Sequence, residues 1–132
     1  MALRDGTKQA VFQLDNNINI GILRMLSWTV TTLNEIVDAE IEALPADMRA
    51  RLVRLSEIIA KHGLSSLPRD SVDHLGDRLW ELRIRGKAGI SRAIYVTASG
   101  QRVVIVRAFI KKTQKTPERE LRLARERAKR VK

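Results

Sequence analysis

The chain has 132 residues, 44% of them apolar and 30% charged, which suits one compact domain and argues against a second. It has no cysteine, and its two histidines, His62 and His74, lack the spacing of paired ligands, so neither a disulfide framework nor a metal centre is expected. The net charge of +10 is unevenly placed: residues 1–77 carry 8 basic and 11 acidic side chains (net −3), whereas residues 78–132 carry 17 and 4 (net +13).

A polycationic second half calls for a polyanionic partner, because neutralising phosphates releases condensed counterions and supplies most non-specific nucleic-acid affinity. An anionic membrane is the weaker candidate, since the basic residues fall largely in strand-like segments with few aromatic anchors. No apolar stretch is long enough to cross a bilayer, and the N-terminus lacks a basic flank followed by an uninterrupted apolar run, so the expected location is the cytoplasm.

In chain order, residues 1–24 show mixed periodicity around Asn16 and Asn17 and are expected to be an extension ahead of a single domain at 25–132. "LSWTVTTL" alternates and predicts a first strand. Thr32 and Glu35 have the spacing of a capping box, and Leu33, Ile36, Val37, Ile41 and Leu44 share a face, which predicts a helix over 33–43. Pro45 interrupts it, and a second helix over 46–61 follows, with Met48, Leu52, Leu55 and Ile59 on one stripe and Gly63 to end it. Residues 64–77 have turn chemistry and are read as a connecting loop.

Three strands come next, "RLWELRIR", "ISRAIYVTA" and "RVVIVRAFI", joined by the turns "GKAG" and "SGQ". In the first of them Trp80, Leu82 and Ile84 take one face and Arg83 and Arg85 the other. Thr116 as cap, Pro117 in the first turn and Glu118 and Glu120 near the positive end predict a last helix, with a narrow apolar stripe of Leu121, Ala124, Ala128 and Val131 among many arginines. The expected fold is α+β: an N-terminal helical hairpin packed on a small antiparallel sheet, with a basic C-terminal helix and one sheet face left open for chemistry.

The strand "LWELR", the strand "RAIY" after a hairpin, and the junction "FIKKTQKTP" into a basic helix resemble, in that order, the RelE/HigB-like toxins of bacterial toxin–antitoxin modules, in particular their phage-derived branch. The resemblance covers about residues 27–130. It implies a ribosome-dependent endoribonuclease that cuts messenger RNA, inhibits translation, and is restrained by a cognate antitoxin, often a helix-turn-helix protein. No cofactor is implied.

Metal-free RNA cleavage needs a base for the 2′-hydroxyl, cations for the phosphorane and an acid for the leaving 5′-oxygen. The resemblance places Arg83 and Arg92 at the phosphate, where a planar fork suits two oxygens. It makes Lys111 or Lys112 the base, and strand alternation puts these two on opposite faces. A lysine can act as base only if burial or neighbouring cations lower its pKa. Tyr95, the only tyrosine, is either a core residue or a participant in stacking and proton transfer. Arg85, Gln114 and Lys115 are expected RNA contacts, as are Arg119 and Arg122 on the last helix. His74 reads as a surface turn residue. The rival readings are a non-catalytic toxin of the gyrase-inhibiting ParE type, which shares this architecture, and a basic RNA-binding protein.

Overall fold

The computed structural model describes residues 28–132; the extension expected at 1–24 and the domain start at Met25 lie outside the described residues. The elements are β1 (Thr29–Thr32), α1 (Glu35–Glu42), α2 (Ala46–His62), β2 (Val72–Gly76), β3 (Leu79–Gly86), β4 (Gly89–Ala98), β5 (Arg102–Ile110) and α3 (Glu118–Ala128). The architecture is α+β, with a five-stranded sheet in the order β1-β5-β4-β3-β2. The sheet is mixed and not antiparallel throughout: β2 to β5 form an antiparallel meander, but β1 runs parallel to β5, with Thr29 opposite Arg102 and Thr32 opposite Ile105. Parallel pairing is reached here by the long crossover through α1, α2 and the meander, which a local reading of alternation does not reveal.

Three further expectations change. Residues 64–77 are not a plain loop, because after two single turns of 3₁₀ helix they form the edge strand β2 on β3. Thr32 does not cap α1: it is held in β1 by its pairing with β5, and its hydroxyl donates to Asp38. The cap is Asn34, whose Oδ1 accepts the amides of Ile36 and Val37, both at 3.1 Å. Ile36, expected on the buried stripe, is 58% exposed, while Val37, Ile41 and Leu44 are buried.

The helices do not all lie on one side of the sheet. On the first face, Val37, Ile41 and Leu44 of the α1 region and Met48, Leu52, Leu55 and Ile59 of α2 pack over Leu82, Ile84, Ala93, Tyr95, Val103 and Ile105. On the second, Ala124 and Ala128 of α3 with Val131 pack over Leu79, Ile94, Val96, Val104 and Val106. A narrow stripe of alanines lets a helix studded with arginine approach closely, so the basic helix covers part of the face expected to be open.

A register shift between Ile94 and Tyr95 leaves Val106 of β5 unpaired, so Arg107 falls opposite Ile94. Beyond Ile105 the outer edge of β5 has no strand beside it among the described residues, and side chains satisfy it instead. Glu40 Oε1 accepts the Ala108 amide at 3.1 Å, and Arg127 donates to the Val106 carbonyl at 2.8 Å. Glu40 also pairs with Arg107 (3.0 Å) and Arg127 (2.8 Å), and Arg107 pairs with Glu120 (2.6 Å), which ties α1, β5 and α3 together. The β3–β4 hairpin tip is docked on the start of α2: Asp47 accepts the Lys87 amide at 2.8 Å, and a Cβ on Gly86 would come within 2.7 Å of Asp47 and Met48.

Candidate functional site

Register places the predicted cations. Arg83 of β3 is directly opposite Arg92 of β4, which is opposite Phe109 of β5. One step along, Arg85 is opposite Ile90, whose carbonyl accepts the amide of Lys111 at 2.8 Å, so Lys111 extends the β5 pairing. Directly paired residues share a sheet face, so Arg83, Arg85, Arg92 and Lys111 converge on the second face, beyond the part that α3 covers. The strand alternation expected for Arg83 and Arg85 therefore carries through to the lysine segment.

Two guanidinium groups directly across a strand pair repel each other. The structure gives each its own carboxylate. Arg92 is 3% exposed and donates from Nη1 to both oxygens of Glu81 (2.7 and 3.1 Å), a residue with no exposed surface, and to the Thr116 hydroxyl. Its Nη2 donates to the Gln114 carbonyl at 2.8 Å, and the Thr116 hydroxyl donates to Glu81 at 2.9 Å. Of its nitrogens, only the buried Nε is left without an acceptor among the described residues. Arg83 is different: it donates to Asp73 at 3.0 Å and to the Asp70 carbonyl at 3.3 Å at the rim, and Arg85 pairs with Asp70 at 3.6 Å.

Thr116 was expected to cap α3, but its side chain is committed to Arg92 and Glu81, and the residue at the cap is Pro117. Residues 111–117 therefore form a short loop strapped across the end of the sheet. Thr113 braces it by donating to the Lys115 carbonyl at 2.6 Å. Between this loop and β2 lies an open cleft of about 430 Å³, lined in part by Asp73, His74, Arg83, Arg92, Gln114 and Lys115. His74 stacks on Trp80, with ring centres 4.3 Å apart.

Lys111 is half-buried, and its ammonium is held below the usual lysine range by desolvation first, then by the charges of Arg92, Arg83 and Arg85 against the opposing pull of Glu81. Lys112 points elsewhere, as alternation requires: it lines a second cleft, of about 330 Å³, with Arg107, Phe109 and Arg119 beside α1. Arg122 is exposed on α3. Tyr95 is 1% exposed among the first-face core residues, and burial pushes its hydroxyl up to about 12. The fold thus gathers Arg83, Arg85, Arg92, Lys111, Gln114 and Lys115, and separates Lys112, Arg119 and Tyr95 from them.

The residues that sequence reasoning passed over are Glu81, Thr116, Asp70 and Asp73. Glu81 carried a readable signal: a carboxylate between Trp80 and Leu82, two places before Arg83, sits on a strand whose other neighbours are apolar. A charge so placed needs a partner of opposite sign, and Arg92 in "RAIY" has the same anomaly. Among the described residues no group of histidine, aspartate or glutamate side chains could hold a metal ion, and no helix is long and apolar enough to cross a membrane.

No curated protein matches the chain. The family described as phage derived protein Gp49-like matches residues 39–129, a span that contains the second helix, the whole meander, the strapped loop and the basic helix. The chain therefore belongs to the phage derived protein Gp49-like family, a toxin-like family of the RelE superfamily.

Proposed function

We propose that the chain is the toxin of a type II toxin–antitoxin module and acts as an endoribonuclease that cuts messenger RNA on the ribosome, restrained by a cognate antitoxin of the helix-turn-helix kind. The observation that carries the reading is the convergence of Arg83, Arg85 and Lys111 on one sheet face, with Arg83 and the loop residue Lys115 lining a cleft, in a toxin-like family and in the part of the chain with net charge +13. Cations from separate strands placed around one cleft can hold a phosphate and the charge that develops on it, which a solvated basic surface does not require.

In this reading the neutral amine of Lys111 accepts the 2′-hydroxyl proton, and the 2′-oxygen attacks the adjacent phosphorus. The bond from phosphorus to the 5′-oxygen breaks, leaving a 2′,3′-cyclic phosphate and a free 5′-hydroxyl. Arg83 exchanges Asp73 for the phosphate oxygens, and the Lys115 ammonium, at the same cleft, protonates the 5′-oxygen. Arg85, Gln114, Arg119 and Arg122 contact the flanking strand or ribosomal RNA, and Lys112 serves the same purpose from its separate cleft. We assign no chemical step to Tyr95, which lies in the core.

The test is induced expression with mapping of 5′ ends on translated messages. Codon-aligned cuts that disappear in Arg83→Ala support the interferase. Growth arrest with intact messages and damaged DNA would replace it with a gyrase-directed toxin.

A further inference from the structure

We propose that Glu81, Arg92 and Thr116 form a buried latch that positions the lysine loop, so that Arg92 acts through Lys111 and Lys115 and does not touch the phosphate. The proposal rests on the nuclease reading above and goes beyond it in assigning a role to each of the three residues. Arg92 holds the loop at two points, the Gln114 carbonyl at 2.8 Å and the Thr116 hydroxyl, and Lys115 lies between them. Glu81 holds Arg92 and Thr116 at once, so the strap is fastened to the middle of the sheet and not to its rim.

The alternative, a guanidinium that clamps the phosphate directly, fits this geometry poorly. Arg92 is 3% exposed, and both its Nη atoms are already donating to protein acceptors. Arg92 lies at the floor of the cleft, but its remaining Nε is itself buried, so a phosphate would have to displace a fully buried carboxylate or lift the loop that carries the lysines. At the far end of the same loop, the Lys111 amide is fixed by the Ile90 carbonyl. Both cations assigned to proton transfer therefore project from backbone fixed by a sheet hydrogen bond or by the latch. Placement of reacting groups to within about 1 Å can be worth about a hundredfold in rate.

The latch can be tested without removing a buried charge. Thr116→Val keeps the side-chain shape and the Arg92–Glu81 pair but removes the hydroxyl, and Thr116→Ser restores the hydroxyl. Full-length protein is followed in two ways: amide hydrogen exchange of residues 111–116, and single-turnover cleavage of a ribosome-bound message as a function of pH. Thr116→Val is expected to exchange faster in that loop and to cut about a hundredfold more slowly with RNA affinity little changed. The rising limb of its pH–rate curve should move to higher pH, as Lys111 drifts from the arginines that lower its pKa. Thr116→Ser should recover all three. A Thr116→Val protein that exchanges and cuts like the wild type, or a Thr116→Ser protein as impaired as Thr116→Val, would overturn the latch. If the wild type cuts no message, the nuclease reading fails, and the exchange data alone decide whether the latch pins the loop.

Discussion

Two arginine–carboxylate pairs lie side by side on neighbouring strands, Arg83 opposite Arg92 and Asp73 opposite Glu81, and the difference that matters most is burial. The Arg92–Glu81 pair is at 2.7 Å, with side chains 4% and 0% exposed. The Arg83–Asp73 pair is at 3.0 Å, with side chains 29% and 50% exposed. In the first, water cannot stand in for either partner, so the pair is fixed for the life of the fold. In the second, solvent already competes for both groups, and a phosphate can take the carboxylate's place at little cost. The same chemistry serves as scaffold in one pair and as an exchangeable ligand site in the other.

The most severe way to break this contrast is to remove one member of the buried pair. Arg92→Ala or Glu81→Ala should lower stability by about 3–5 kcal/mol, measured by urea unfolding, because an uncompensated charge remains in the interior. Loss of toxicity in Arg92→Ala therefore reports folding, and that substitution is a poor probe of chemistry. Arg83→Ala should do the reverse, changing stability by about 1 kcal/mol or less while cutting the cleavage rate by about 10²–10³-fold in a single-turnover assay.

Asp73→Asn sharpens the contrast from the carboxylate side. It removes the opposing charge from the Arg83 fork without touching the core, and RNA should bind up to about fivefold more tightly, read by fluorescence anisotropy at fixed salt, in keeping with the worth of an exposed ion pair.

The smallest expected effect concerns Lys111. Its folded-state pKa lies below that of an ordinary lysine, so the folded chain resists protonation there more than the unfolded chain does. The charged lysine is then slightly destabilising at neutral pH, and the penalty fades as pH rises through the folded and then the unfolded pKa. Lys111→Gln should unfold at slightly higher urea than the wild type at pH 7 and at the same urea above the ordinary lysine range. The same shift predicts a pH–rate curve whose rising limb lies below the ordinary lysine range and is absent in Lys111→Gln.

Sequence patterning reached the meander and its faces because alternation is a local property: Trp80, Leu82 and Ile84 against Arg83 and Arg85 needs no knowledge of partners. It also separated Lys111 from Lys112, and the two line different surroundings in the structure. What it could not reach depends on residues far apart in the chain. The five residues of β2, Val72–Gly76 at an edge, have no apolar alternation to announce them, and β1 pairs with a strand 73 residues later. The stripe Ala124 and Ala128 shows that α3 packs on something, but not on which face. Likewise Thr116 has the spacing of a helix cap and is drawn off it by a carboxylate 35 residues earlier, a competition decided only by the folded geometry.

The most direct test is Arg83→Ala measured twice on one preparation, by urea unfolding and by 5′-end mapping of ribosome-bound messages. The expected result is a midpoint close to that of the wild type together with loss of the codon-aligned cuts. Cuts that persist in a folded Arg83→Ala protein would contradict it.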